Sequence, residues 1–318
     1  MTVSFPTADS GKPVLVLGAA GMDVVGRLDS DLQPAASNPA RIRRSYGGVA
    51  RNVAENLARL GQPASLITVV GKDMNGDEIL EYTAKAGVDV SGVIRSDEYV
   101  TGHYVGVVDR NGLLQFAIDD MRLLEEITTQ YLKEQEEMFK SSSLVFVDAN
   151  LPVKALRTTF SLARRAKIPV CADTASFNLA ERLTKYLPRC YLVTANSKEA
   201  GVLTGLSFES SDRDAAMEAA RKLVGEGVGI AVVTLAEYGV VYATSETTGH
   251  IPAIRTRISD PTGAGDAMTA ALLFGLLNDI ELDDAIRLGV SAASLTLRHP
   301  GSVYPDLSLE GLYDQLLV

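Results

Sequence analysis

Short apolar runs of strand length alternate with longer stretches of helical spacing along most of this 318-residue chain. That alternation restricts the fold more than any other feature. Val14–Leu17, Ser65–Val70, Leu144–Val147, Val170–Asp173, Tyr191–Ala195 and Ile230–Leu235 read as buried strands. Val49–Leu60, Gly76–Ala86, Lys154–Ala166, Leu179–Tyr186, Ser197–Thr204 and Asp212–Gly225 carry helical patterns between them, the first two followed by Gly61 and Gly87. Continuous apolar runs suit strands covered on both faces. The βαβα order therefore predicts a mostly parallel sheet with helices on both sides. Two segments break the order. Val24–Tyr46 holds two prolines and no helical period, and Tyr99–Asp119 contains the β-rich runs Tyr104–Val108 and Leu113–Ile118 around Asp109-Arg110-Asn111-Gly112. Asn-Gly between such runs is a hairpin signal. Residues of about 24–46 and 99–119 are predicted to form a small antiparallel subdomain within one domain spanning 1–318. No internal repeat, low-complexity tract or linker is visible.

Composition narrows the classes of function. Hydrophobic residues make up 46% and charged residues 22%, a globular mixture. A net charge of −10 disfavours nucleic acid and anionic membranes as partners. Only two cysteines, Cys171 and Cys190, and three scattered histidines exclude a disulfide scaffold and make a His-based metal site improbable. Met1–Lys12 lacks a basic start followed by an apolar run, and the markedly apolar stretch Met268–Leu277 is too short to span a bilayer. A soluble, cytoplasmic protein is expected.

The sharpest motif is Asp260-Pro261-Thr262-Gly263-Ala264-Gly265-Asp266, running into the apolar helix Ala267–Leu277. Amides of Gly263, Ala264 and Gly265 at a helix N-terminus favour an anion such as a phosphate. Asp266 can cap that helix, or act beside the anion pocket as a base that deprotonates a hydroxyl during phosphoryl transfer. Gly47-Gly48-Val49-Ala50-Arg51-Asn52 opens an earlier helix. It permits close approach of a small ligand, with Asn52 one turn in, or is a flexible loop with a surface Asn. Gly18-Ala19-Ala20-Gly21-Met22-Asp23 follows the first strand, but no Gly-x-Gly-x-x-Gly is present and Asp23 runs into Val24-Val25. Dinucleotide binding, and with it a dehydrogenase, is disfavoured. Asp23, read as lying at the C-terminal edge of a parallel strand, suits sugar hydroxyls. Asn196-Ser197-Lys198-Glu199 is close to a capping box; it could also place Asn196 near nucleotide phosphates and Glu199 to order water around Mg²⁺. Thr234-Leu235-Ala236-Glu237-Tyr238-Gly239 reads as a strand-to-turn junction, and Gly71-Lys72 is no Walker A motif.

In this order, from about Val14 to Leu309, these residues resemble the ribokinase-like (PfkB) carbohydrate kinase family. Gly47-Gly48 with Asn52 looks like its first signature and Asp260–Asp266 like its second. The resemblance implies a three-layer α/β/α sandwich with a β-sheet lid, ATP as donor, and Mg²⁺. It implies Asp266 as base, Gly263–Gly265 as anion hole, and Asp23, Gly47, Gly48 and Asn52 on the sugar. Asn196, Thr234, Gly239, Gly263 and Gly265 would serve the nucleotide and Glu199 the metal through water. It also implies a monovalent cation, K⁺, at Asp260, Thr262 and a later loop, here about Leu295–Ser302. Ala236 stands where the family usually has glycine, and His299-Pro300-Gly301 departs from the usual loop spacing.

Ser37-Asn38-Pro39, Ala117-Ile118-Asp119-Asp120-Met121 and Pro305-Asp306-Leu307-Ser308 resemble one branch, the bacterial pseudouridine kinases. The function expected is ATP-dependent phosphorylation of the primary hydroxyl of a ribose-containing sugar or nucleoside, first of all pseudouridine. Asp119 and Asp120 are candidate acceptors for its extra N–H. A ribokinase or another sugar or nucleoside kinase is the alternative within the fold, and a non-catalytic sensor the alternative outside catalysis. An apolar lid face and open strand edges predict a homodimer through the lid.

Overall fold

The computed structural model describes residues 11–111 and 113–317; residues 1–10 of the segment read for targeting, and Gly112 of the hairpin signal, lie outside them. The large sheet is built from β1 (Val14–Leu17), β4 (Ala64–Gly71), β5 (Val93–Ser96), β8 (Leu144–Asp148), β9 (Val170–Asp173), β10 (Leu192–Asn196), β11 (Ile230–Thr234), β12 (Val240–Ala243) and β13 (Thr248–Ile251). Its order is β13-β12-β11-β10-β9-β8-β1-β4-β5. The strands from β5 to β11 run parallel, while β12 and β13 return antiparallel. The two edge strands, β13 and β5, carry too little apolar length to be read from sequence.

Alternate residues of each strand feed two cores, as period-two strands covered on both sides must. Leu15, Leu17, Val145, Val147 and Val193 face one core, under α3 (Thr129–Glu134), α4 (Glu136–Ser141), α5 (Val153–Ala166), α6 (Ser197–Thr204) and α7 (Arg213–Gly225). Val14, Val16, Leu144, Phe146 and Leu192 face the other, under α1 (Val49–Arg59), α8 (Ala264–Leu277), α9 (Leu282–Arg298) and α10 (Leu309–Leu316). α2 (Met74–Lys85) is capped by Asp73, whose side chain accepts from Gly76 N–H. The helix expected at Leu179–Tyr186 is a 3₁₀ helix, Ala180–Arg189, which holds Pro188. Among the described residues no helix is long and apolar enough to cross a membrane.

The segments that break the βαβα order form a separate four-stranded sheet, β3-β2-β6-β7. Its strands are β2 (Gly21–Leu28), β3 (Ala40–Gly47), β6 (His103–Val108) and β7 (Leu114–Asp120). β2 starts three residues before the predicted segment, so Asp23 sits on this small sheet and not at the end of a parallel strand. Register sorts its side chains into rows. Ser45, Asp23, Tyr104 and Asp119 stand opposite one another; Arg43, Val25, Gly106 and Ala117 form the next row on that face. On the other face Ile42, Gly26, Val107 and Phe116 align, as do Arg44, Val24, Val105 and Ile118. The first face covers the large sheet. The second packs on α2 at one end, where Met22, Val24 and Tyr46 meet Ile79 and Leu80, and is open at the other, with Ile42 73%, Phe116 47% and Ile118 65% exposed.

Candidate active site

A cavity of about 1550 Å³ separates the inner face of the small sheet from the carboxyl ends of the central parallel strands. That is the position in which open α/β sheets bind ligands. Asp23, Gly48, Asn52, Asn196, Asp260, Thr262, Gly263 and Asp266 all line it.

At Asp266 the geometry shows no side-chain cap. Gly263, in the left-handed region at φ 77°, is the N-cap of α8, and no side chain caps the helix. A Cβ on Gly263 would lie 1.9 Å from the Ser302 carbonyl oxygen, so only glycine fits there. Asp266 turns instead to α1, and Asn52 Nδ2 donates to its Oδ2 at 2.6 Å. The first amides of α8 lack intrahelical acceptors, and at this helix start Gly263 and Asp266 line the cavity while Ala264 and Gly265 do not. Burial, with Asp148 and Glu199 nearby, pushes the Asp266 carboxyl up to about 6, against the Asn52 hydrogen bond and Arg51.

α1 begins where two chains nearly touch. Gly48, at φ 94°, would place a Cβ 2.3 Å from the Ala19 carbonyl oxygen, and one on Gly47 would strike the Asp23 carboxylate. Asp23 is buried and raised to about 7, chiefly by burial; Asp266 and Asp260 add to the rise and Arg51 opposes it. Arg51 is 1% exposed. It donates to the Tyr46 and Gly47 carbonyls, to Glu55 and to Asn52 Oδ1. Glu55 also holds Arg59, at 2.6 Å. Asp148, at the end of β8, accepts from the Ala19 and Ala50 amides at 2.9 and 3.0 Å and so pins both glycine loops.

On the far side Asn196 and Glu199 form a complete capping box at the start of α6. Glu199 Oε2 also accepts from Thr174 Oγ1 at 2.6 Å. Asp173 accepts from Thr194 Oγ1 at 2.7 Å, and burial with Glu199 and Asp266 nearby holds its carboxyl well above the usual range. Neither acid has a basic partner among the described residues. Uncompensated acids suit a hydrated divalent cation carried in on phosphates. Among the described residues no three His, Cys, Asp or Glu side chains converge to grip a metal directly. Thr234 pairs with Asn196 in register, and Gly239 closes the following turn; both lie beyond the cavity wall. Ala236 in that turn takes φ 51°, the left-handed conformation that glycine adopts without strain.

Other expectations are divided by the geometry. Asp119 lines the cavity in the same row as Tyr104 and Asp23, whereas Asp120 turns away to pair with Arg122 at 2.6 Å. At Asp260, Oδ1 accepts from the Thr262 amide at 3.0 Å and Oδ2 is ion-paired with Arg43 of β3. A carboxylate so engaged does not fit the K⁺ site the resemblance implies.

Arg43, Arg51, Asp148 and Asp173 were missed in the sequence. Asp148 and Asp173 left a signal, an acid directly ending an apolar strand. The contacts of Arg43 and Arg51 had none.

The sequence profile of the pfkB family carbohydrate kinase matches residues 12–308. The uncharacterized sugar kinase YeiI of Escherichia coli strain K12 is 33% identical over 301 residues, 93% of this chain and 81% of that protein. Pseudouridine kinase of the same organism is 31% identical over 297 residues, 93% of this chain and 94% of that one. The ribokinase of Arabidopsis thaliana, solved with ribose and ATP, superposes with a TM-score of 0.81 at 21% identity, covering 97% of this chain and 99% of its own. At that identity the match speaks for the fold.

Proposed function

The chain belongs to the PfkB family of carbohydrate kinases, and from that premise we propose that it transfers the γ-phosphoryl group of ATP to the primary 5′-hydroxyl of pseudouridine. The observation that carries the reading is the Asn52–Asp266 hydrogen bond at the mouth of the α8 amides. It sets a partly neutralised carboxylate beside an anion-binding helix start.

In this reading the ribose hydroxyls lie against Asp23, Gly47, Gly48 and Asn52, and the small sheet acts as the lid over them. Asp266 accepts the hydroxyl proton as the oxygen attacks the γ-phosphorus, while the bond from that phosphorus to the β,γ-bridging oxygen breaks and ADP leaves. The amides of Gly263, Ala264 and Gly265 receive the charge that develops on the phosphoryl oxygens. The nucleotide runs from Asn196 at the cavity wall outward toward Thr234 and Gly239 beyond it. Glu199 and Asp173 are the residues that would hold a hydrated Mg²⁺, and that ion would supply charge neutralisation for the phosphates. Asp119 reaches the base through the Asp23–Tyr104–Asp119 row and accepts the N–H that pseudouridine has and uridine lacks. The open apolar face of the lid, with Ile42, Phe116 and Ile118, supports a homodimer formed through that face.

The test is kcat/KM for pseudouridine, uridine and ribose under one ATP and salt condition. Pseudouridine is expected to lead, because a site that hydrogen-bonds an N–H can reject an analogue lacking it by up to about 10⁴–10⁵. Uridine or ribose matching it returns the reading to a general sugar or nucleoside kinase. No ATP consumption with any acceptor leaves the sensor.

A further inference from the structure

We propose that Arg43, carried on the small sheet, supplies at Asp260 the fixed positive charge that a bound monovalent cation would otherwise bring, so that catalysis does not depend on K⁺. The inference rests on the kinase reading for its functional meaning, and on the site's own contacts for its geometry.

Both oxygens of Asp260 are engaged. Oδ1 accepts from the Thr262 amide, and Oδ2 is ion-paired with the Arg43 guanidinium. Asp260 is 3% exposed, so its carboxylate is held mainly by these two partners rather than by water. The later loop is engaged as well. The Leu297 carbonyl accepts from the Ser259 amide at 2.7 Å and the Asp260 amide at 3.3 Å. The Ser302 carbonyl lies against Gly263, where a Cβ would be 1.9 Å away. The Leu297 oxygen is thereby spent on the chain's own amides. A second cation beside the guanidinium would meet like-charge repulsion on a shared carboxylate.

The charge has a use. An unpaired carboxylate at Asp260 would stand two residues before Thr262 and close to the amides that receive the phosphoryl oxygens. Pairing cancels that field and fixes the loop from which α8 starts. Arg43 does this from the small sheet, opposite Val25 on β2. The same strand holds the loop at a second place, since Ser302 Oγ donates to the Tyr46 carbonyl. Arg27 of β2 reaches the Ser259 carbonyl at 3.4 Å. The positive charge is therefore carried by the small sheet itself. A loose ion would have no such link to the covered state of the cavity.

The experiment compares wild type with Arg43→Gln in KCl and in N-methylglucamine chloride at equal ionic strength, with Tl⁺ binding followed by ²⁰⁵Tl NMR. Wild-type kcat/KM is expected to change less than about twofold between salts, and wild type to show no Tl⁺ binding that K⁺ displaces. Arg43→Gln is expected to lose about tenfold or more in N-methylglucamine. It should recover at least threefold in K⁺ and gain K⁺-displaceable Tl⁺ binding. Adding Asp260→Asn should abolish that recovery, which a merely structural role for Arg43 would not predict. A tenfold loss by wild type without K⁺, displaceable Tl⁺ binding to wild type, or an Arg43→Gln enzyme equal to wild type in both salts would overturn the proposal. Absence of turnover with every acceptor strikes the kinase reading instead, and the Tl⁺ measurement still decides the role of Arg43.

Discussion

Asn52 is held from both sides: Arg51 donates to its Oδ1 while its Nδ2 donates to Asp266 at 2.6 Å, between groups 214 residues apart in sequence. An asparagine amide can flip, but a guanidinium can only donate. Arg51 therefore fixes which end of Asn52 faces the carboxylate, and Asp266 always meets a donor.

Asp266→Asn preserves size and removes basicity. The variant is expected to fold, to bind nucleotide, and to lose kcat by roughly 10²–10⁴-fold. Steady-state turnover beside a thermal melt checks both halves. Near-normal turnover in a folded variant would remove Asp266 from the role of base.

With Asp266 raised to about 6, wild-type kcat/KM should fall as pH drops through about 6, where the base takes up a proton before the substrate arrives. Replacing Arg51 by Gln takes away a charge that lowers the carboxyls of both Asp266 and Asp23. The acid limb should move to higher pH, and kcat should drop because Asn52 is free to flip. Stability should fall by about 3 kcal/mol, since Arg51 and Glu55 are a buried pair. A pH–rate profile of Arg51→Gln unchanged in shape would separate Arg51 from the base.

Asp23 gives a prediction of opposite sign for stability. Its folded pKa of about 7 lies above the ordinary 3.8, so ionisation costs the native state more than the unfolded chain. That penalty is absent below about 3.8, builds as pH rises, and is complete above about 7. Asp23→Asn should therefore stabilise the fold at pH 8, by an amount of order 2 kcal/mol, with the gain vanishing toward pH 4. Sugar affinity should weaken in the same variant. Urea unfolding at the two pH values measures the first effect, and a KM rise with little change in kcat measures the second.

The outer lid face predicts an oligomer. Phe116→Ser with Ile118→Asp should convert a dimer to a monomer in light scattering at micromolar concentration, with the cavity residues untouched. A monomeric wild type with full activity would contradict the dimer.

The layered fold could be read from sequence because β1, β8 and β9 are covered on both faces and must be apolar throughout. The strand at the sheet's far edge, β13, is short and half-covered, and its pattern merges with turns. In the site, Gly48, Gly263 and Asp266 were legible because tight backbone approach leaves glycine as a visible mark beside the acid. Arg43 was not. On paper it is one basic residue in a basic strand, and its partner Asp260 lies 217 positions away. Only register decides that Arg43 faces inward while Arg44 faces outward, toward Asn75 of α2. Asp119 and Asp120 part for the same reason, because adjacent residues on a strand point to opposite sides.

Between Leu17, the end of β1, and Gly21, the start of β2, only three residues connect the large sheet to the small one, and Asp148 grips the middle of that connection at the Ala19 amide. Any rotation of the small sheet about Gly21, where β2 begins, works as a lever. At roughly 3.3 Å per strand residue, Asp23 lies about 7 Å beyond the pivot and Arg27 about 20 Å. A tilt that moves Asp23 by about 1 Å would thus carry Arg27 by about 3 Å. Sugar-facing groups near the pivot would stay almost in register while the arginine end swings clear, so substrate would enter and leave from the far tip of the sheet.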